Sequence, residues 1–170
     1  MPSPVIEPLT SERLTLEPVT VEHAASMVEV LADPGLYTFT GGGPPSLDTL
    51  TARYAAQLRG PADASARWLN WMARRNDGGG LIGFVQATVR SEGDQPLAEI
   101  AWVIDPVHQH QGLASEATAA MMTWLRARGV TRFAALIHPE HTASQRVADR
   151  QGLRPTSIIQ DGEVRWETPG

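Results

Sequence analysis

The chain has 170 residues, 42% of them hydrophobic and 19% charged, which suits a single domain spanning residues 1–170 with a sizeable core and leaves no room for a second. It contains no cysteine, so disulfides, thiolate metal sites and cysteine nucleophiles are excluded and any thiol chemistry has to come from a ligand. The formal net charge of -5 argues against general nucleic-acid binding, and it repels polyanions at long range, so an anionic ligand needs a local site.

The opening Met1-Pro2-Ser3-Pro4 lacks a positive start and an apolar core, and no later run approaches a membrane span; no membrane partner and a cytoplasmic location are the expectation. Arg13 to Pro18 alternates, with Leu14 and Leu16 on one side, as a first strand does. Thr20 is placed to cap a helix whose stripe is Ala24, Met27, Val28 and Leu31, and Asp33-Pro34-Gly35 stops it. A connection through Gly41-Gly42-Gly43-Pro44-Pro45 leads to Ser46, which can cap a second helix carrying Leu47, Leu50, Tyr54 and Leu58 as far as Gly60-Pro61.

Arg67 to Arg74 and Leu81 to Val89, joined by Asn76-Asp77-Gly78-Gly79-Gly80, read as an antiparallel hairpin with Trp68 and Trp71 on opposite faces. After a polar turn from Ser91 to Pro96, Leu97 to Ile104 forms a strand that Asp105-Pro106 ends. From Leu113 the apolar positions Ala117, Ala120, Met121, Trp124 and Leu125 follow at helical spacing as far as Gly129. Arg132 to His138 is a strand with Phe133, Ala135 and Ile137 on one face. A short helix runs from Thr142 to Gln151, and Asp161-Gly162 joins two last strands, Thr156 to Ile159 and Glu163 to Trp166. This order fits a mixed α/β sheet better than the alternating pattern of a dinucleotide fold.

Between the strand ending at Ile104 and the helix starting at Leu113, the amides of Gln111, Gly112, Leu113, Ala114 and Ser115 have no carbonyl one turn back. They point outward at the positive end of the helix dipole, and Gly112 lets a phosphate approach closely.

Gln109-His110-Gln111-Gly112-Leu113-Ala114 resembles the Q/R-x-x-G-x-G/A acyl-CoA signature of the GNAT N-acetyltransferases. Ala98-Glu99-Ile100-Ala101-Trp102-Val103-Ile104 is similar to the A-E-I-G-Y-W-L strand of their RimJ/RimL-like branch, which acetylates ribosomal-protein N-termini. Pro139-Glu140-His141-Thr142-Ala143-Ser144-Gln145-Arg146-Val147 with Gly152 resembles that branch's P-E-N-x-A-S-x-R-V-x-E-K-x-G-F, and Arg13-Leu14-Thr15-Leu16-Glu17-Pro18 its opening. The resemblance implies a GNAT fold, with a mostly antiparallel sheet of about seven strands and about four helices, whose fourth and fifth strands splay apart. It implies acetyl-CoA as co-substrate, a primary amine as acceptor, and backbone groups of Trp102, Val103 and Ile104 along the pantetheine arm. The two early helices and their connection become one wall of the acceptor site, with the glycine-proline loop from Gly41 to Pro45 either a substrate gate or a plain linker. A bulge near Ala101 or Trp102 is expected to supply the splay.

Glu99 is the only charged residue of an otherwise apolar strand, and burying a carboxylate without purpose costs several kcal/mol, so it is the candidate base. The alternative is that it lies on the open face or pairs with an arginine such as Arg67. An α-amino group titrates at about 7.7 to 8.0 and a lysine amine at about 10.4, so freeing the lysine costs about 3.5 kcal/mol more at neutral pH. A single carboxylate therefore favours an N-terminal or other low-pKa amine. Many GNAT enzymes carry a tyrosine acid where this chain has Ala148; the RimJ/RimL-like serine falls on Ser144, and that branch's cofactor-contacting asparagine is here His141. His110 stands where glycine is common, and a protonated imidazole there adds charge beside a pyrophosphate. The pairs His108/His110 and His138/His141 lack a third ligand at metal spacing, so no metal is expected. Two other functions stay open, a small-molecule amine acetyltransferase and an idle acyl-CoA-binding domain that lost its acid. A homodimer is possible.

Overall fold

The computed structural model describes residues 6–170. Its strands are β1 Leu9–Thr10, β2 Leu14–Pro18, β3 Ala66–Arg75, β4 Gly80–Glu92, β5 Gln95–Ile104, β6 Arg132–Ile137, β7 Arg154–Gln160 and β8 Glu163–Glu167. Its α-helices are α1 His23–Val30, α2 Leu47–Arg59, α3 Leu113–Arg126 and α4 Thr142–Arg150. The strands form one 8-stranded sheet in the order β1-β2-β3-β4-β5-β6-β8-β7. Every neighbouring pair is antiparallel except β5 and β6. This is the expected mixed α/β architecture with one strand more, the dipeptide β1, which pairs Leu9 with Leu16 and Thr10 with Thr15.

The sheet is apolar on both faces because helices cover both. Leu14, Leu16, Trp71, Val85, Ile100 and Phe133 pack on one face with Leu113, Ala117, Met121 and Leu125 of α3 and Ala148 of α4. On the other face Met72 meets Ala24, Met27, Leu50 and Tyr54 of α1 and α2, with Phe84 and Val103 against them. Trp71 is fully buried, edge-on to Trp124 at 5.4 Å, whereas Trp68 is 40% exposed on the opposite face. Period-two alternation sets these faces, so strand residues two apart share one.

Several local expectations shift. Ser46 does cap α2, accepting from the Thr49 amide at 3.1 Å. Thr20 does not cap α1: the residue at that cap is Glu22, with no side-chain bond, and the Thr20 amide instead donates to His23 Nδ1 at 2.9 Å. The stripe of α2 is narrower than its spacing suggests, since Leu50 and Tyr54 are buried but Leu47 and Leu58 project into solvent. The turn between β4 and β5 is tighter than the Ser91–Pro96 reading, because both strands run through most of it. Among the described residues no helix is long and apolar enough to cross a membrane.

The feature that positions the site is the parting of β5 from β6. They pair only through Leu97↔Arg132, Ala98↔Phe133 and Glu99↔Ala134. Beyond that, β5 follows β4 as far as Gly83↔Ile104 and β6 follows β8 as far as Ile137↔Val164, so each strand is held by its other neighbour while twist separates them. The bulge expected near Ala101 or Trp102 is absent: β4 and β5 keep one register from end to end. The irregularity lies one strand over, where the β3–β4 register shifts between Ala73 and Arg74 and Ile82 is the extra residue. A bulge bends its own strand and steepens the local twist, and β5 follows that bend through its pairing.

Candidate functional site

The loop after β5 is built to expose main-chain donors. Asp105 ends the strand and accepts from the Val107 amide at 3.2 Å, which winds Pro106–His108 into one turn of 3-10 helix. The chain then passes through two left-handed residues, His110 (φ 64) and Gly112 (φ 77), before α3 begins with no side-chain cap. The first helical bond is from the Glu116 amide to the Gly112 carbonyl at 3.0 Å. Among the described residues, no acceptor faces the amides of His110, Gln111, Gly112, Leu113, Ala114 or Ser115. Left-handed residues alternating along such a run turn successive N–H groups to one side, and the helix dipole adds positive potential.

Two arginines hold this loop from outside. Arg13 donates from Nη1 to the Gln111 carbonyl at 2.9 Å and from Nε to Glu116 at 2.7 Å, and Glu116 also accepts from the Arg13 amide and the Ser11 hydroxyl. Burial alone would raise the Glu116 carboxyl, but the bonds from Ser11 and Arg13 outweigh it and hold the group below its ordinary value. Arg75 reaches Gln111 Oε1 at 3.3 Å. Gln109 turns back, donating from Nε2 to the Ile104 carbonyl at 2.8 Å, and so pins the loop to the end of β5.

The unpaired edge of β5 adjoins this loop. Because the Asp105 amide bonds the Ile82 carbonyl at 2.8 Å, antiparallel alternation turns the main chain of Val103 toward β4 and that of Trp102 and Ile104 toward the gap. Trp102 and Ile104 therefore present the free edge, with the Ile104 carbonyl already taken by Gln109, whereas Val103 contributes its side chain to the α1–α2 face.

Glu99 is the last β5 residue paired to β6, so it stands at the fork, half-buried on the face of α1 and α2. No described residue forms an ion pair with it, which removes the Arg67 alternative. Thr88 and Trp68 continue its row across the sheet. Glu163 shares that face; burial raises its carboxyl, His138 opposes the rise, and Asp161 and Glu99 add to it. Between α1, α2 and this part of the sheet lies a cavity of about 310 Å³, with Tyr54, Gln57, Asn70 and Gln86 in its wall.

Across the gap, Ser144 Oγ lies 3.3 Å from His141 Nε2. The His141 ring stacks on Phe39 at 4.6 Å, and Phe39 also meets His138 at 5.1 Å. Burial, then the neighbouring His138, holds the His141 imidazole below its ordinary value. Phe39 comes from the connection before α2, so that connection is anchored on the turn before α4. Ala148 is fully buried in the core.

The fold thus gathers the signature loop, the free edge of β5 and Glu99 around one gap, with Ser144 and His141 forming a contact on the β6–α4 side. Arg75, Phe39 and the polar cavity have no warning in the sequence pattern, and Arg13 enters it only as part of a strand. Acidic residues in the first turn of a helix are a known complement to its dipole, and Glu116 in that position is the one available signal.

The profile of the acetyltransferase (GNAT) domain matches residues 13–154. Among solved structures, the chain is similar to a GNAT-family acetyltransferase from Bacillus anthracis, with 20% identity over 95% of this chain and 96% of that one and a TM-score of 0.74. It is similar to RimL, a ribosomal L7/L12 alpha-N-protein acetyltransferase in complex with coenzyme A, with 17% identity over 95% and 97% of the two chains and a TM-score of 0.75. An acetyltransferase from Thermus thermophilus matches with 19% identity over 96% and 99% and a TM-score of 0.73. At these identities the likeness is one of fold. No curated protein sequence matches the chain.

Proposed function

We propose, from the premise that this chain belongs to the GNAT acetyltransferase domain family, that it acetylates a low-pKa primary amine, the N-terminal amine of a protein or peptide, in the manner of the RimJ/RimL-like branch. The observation that carries this reading is the run of main-chain amides without acceptors beside an unpaired strand edge, with a carboxylate at the fork. The residues present fit CoA. The amides from His110 to Ser115 suit a diphosphate, and at Gly112 the direction a side chain would take holds only Arg13 Nη2, at 3.5 Å. The free main-chain groups of Trp102 and the Ile104 amide suit the amides of a pantetheine arm.

Bound acetyl-CoA supplies the thioester carbonyl that the acceptor nitrogen attacks. Glu99 takes the proton of the acceptor ammonium, either directly or through water, and orients the nitrogen at the fork. With the His141 proton on Nε2, that nitrogen donates to Ser144 Oγ and leaves the serine O–H free to protonate the sulfur as the C–S bond breaks, while the second proton that the acceptor nitrogen loses in the same collapse restores the hydroxyl through water. A neutral imidazole is what this arrangement needs, and the depressed His141 provides it. Ser144 thereby takes the part that a tyrosine at Ala148 would have had, which favours an active enzyme over an idle binding domain.

An amine and peptide panel with wild type and Glu99→Gln tests substrate class and base together. Turnover of peptide α-amines above lysine-like amines is expected, with a fall of about 10² to 10⁴ in kcat for the variant and CoA affinity retained. Background thiol release across the whole panel while CoA still binds would establish the idle reading, and preference for small drug-like amines the small-molecule one.

A further inference from the structure

We infer that the cavity walled by Tyr54, Gln57, Asn70 and Gln86 is the subsite that reads the acceptor beyond its amine, and that it takes the first peptide bond of the substrate. This inference rests on the proposed N-terminal acetyltransferase reading and names the device that selects the acceptor.

The position follows from register. Gln86 lies opposite Ala101, two residues along β5 from Glu99 on the same face, and Asn70 lies opposite Gln86 on β3. Diagonal neighbours of this kind are about 7 to 8 Å apart and within reach of one another's side chains. A nitrogen held at Glu99 therefore has its next few atoms above Ala101, at the mouth of the cavity.

The chemistry follows from two unpartnered atoms. Tyr54 is 2% exposed, and both its hydroxyl and Gln57 Oε1 are buried with no hydrogen-bond partner among the described residues. Buried polar groups in folded proteins are almost always paired, so an orphaned pair lining one cavity marks a ligand's place. Burial pushes the Tyr54 hydroxyl up to about 12, which keeps it a donor throughout the range in which an amine is free. Gln57 Oε1 is an acceptor. A peptide unit presents one carbonyl for the first and one N–H for the second, and it begins two bonds from an α-amine.

A lysine ε-amine carries four methylenes over the same stretch and leaves both atoms orphaned. Arg53 at the wall disfavours a second cation there, and Met72 and Phe84 supply flat apolar sides against which a planar amide packs. Sites built on hydrogen bonds reject analogues that lack the bonding group far more strongly than apolar pockets reject analogues of altered size.

The test compares a tripeptide amide with its depsipeptide analogue, in which an ester oxygen replaces the first amide nitrogen. Both are titrated calorimetrically into the CoA-loaded protein and assayed with acetyl-CoA, using wild type, Gln57→Leu and Tyr54→Phe. Wild type is expected to favour the amide over the ester about tenfold or more, Gln57→Leu to lose that preference, and Tyr54→Phe to raise KM for the peptide with a smaller change in kcat. Equal binding of amide and ester by wild type overturns the subsite. So does a preference that survives Gln57→Leu. If the amide preference appears in binding but no amine is acetylated, the subsite stands and the acetyl-transfer reading falls.

Discussion

Replacing Gly83 by alanine tests the geometry on which the open edge depends. A Cβ at Gly83 would lie 2.0 Å from the Val103 carbonyl oxygen, 2.9 Å from its carbon and 3.0 Å from the Ile104 Cα, all of them backbone atoms with no side-chain freedom to yield. Carbon and carbonyl oxygen approach no closer than about 3.3 Å, so the end of β5 has to move by about 1.3 Å. That movement breaks the bond between the Asp105 amide and the Ile82 carbonyl and weakens the Phe84↔Val103 pairing, at about 1 kcal/mol each. Residual overpacking adds about 1 to 3 kcal/mol, for a total of about 3 to 5 kcal/mol. Urea unfolding followed by circular dichroism reads this as a lower midpoint, and calorimetry reads the displaced edge as weaker CoA binding. A Gly83→Ala protein with an unchanged midpoint and unchanged CoA affinity would refute the close approach of β4 to β5.

Glu116→Ala removes the acceptor that ties Ser11 and Arg13 to α3, and a loss of about 2 to 4 kcal/mol in urea unfolding is expected. Because folding depresses this carboxyl below its ordinary value of 4.5, its contribution is whole above pH 4.5 and disappears as pH falls from there through the folded value; the variant should show a shallower acid limb, and an acid limb identical to wild type would contradict the assignment. His110→Gly relieves a left-handed residue at φ 64, and after the entropy that glycine adds to the unfolded chain a gain of about 0.5 to 1 kcal/mol remains. A measurable destabilisation would show that the histidine side chain holds the loop. Phe39→Ala uncovers His141, whose proton affinity should rise toward the ordinary value of 6.5 in an NMR titration. Wild-type stability declines as pH drops from 6.5 toward the folded value, and the variant should lose part of that decline; an unmoved titration would show that Phe39 does not bury the ring.

The elements most legible in the sequence are those with a clear period. The spacing of Leu113, Ala117, Met121 and Leu125 defines α3, and Gly112 marks its start because only the left-handed region fits there. Glu99 stands out as one charge in an apolar strand, though only pairing shows that it marks the fork. The bulge falls on a different strand from the one expected for a physical reason: resemblance shows that strands part, whereas register decides which of them absorbs the extra residue. An isolated glycine in the run Ile82-Gly83-Phe84-Val85 is the available sign, since such glycines accompany bulges and close backbone approach. Thr20 does not cap α1 because its amide and hydroxyl turn to the His23 ring, a competition between neighbours that local propensity does not weigh. The polar cavity is invisible in the sequence because Tyr54 and Gln57 come from α2 while Asn70 and Gln86 come from two strands, and only the fold brings them together.

Main-chain donors gripping a diphosphate are the foundation of the proposed activity, and amide chemical shifts report on those donors one by one. In a two-dimensional 15N–1H spectrum recorded during titration with CoA, the resonances of His110 to Ser115 should move furthest, together with those of Trp102 and Ile104, while the interior of α2 stays still. Saturable binding of CoA that left His110 to Ser115 unmoved and shifted another part of the chain would contradict the proposed site at its base.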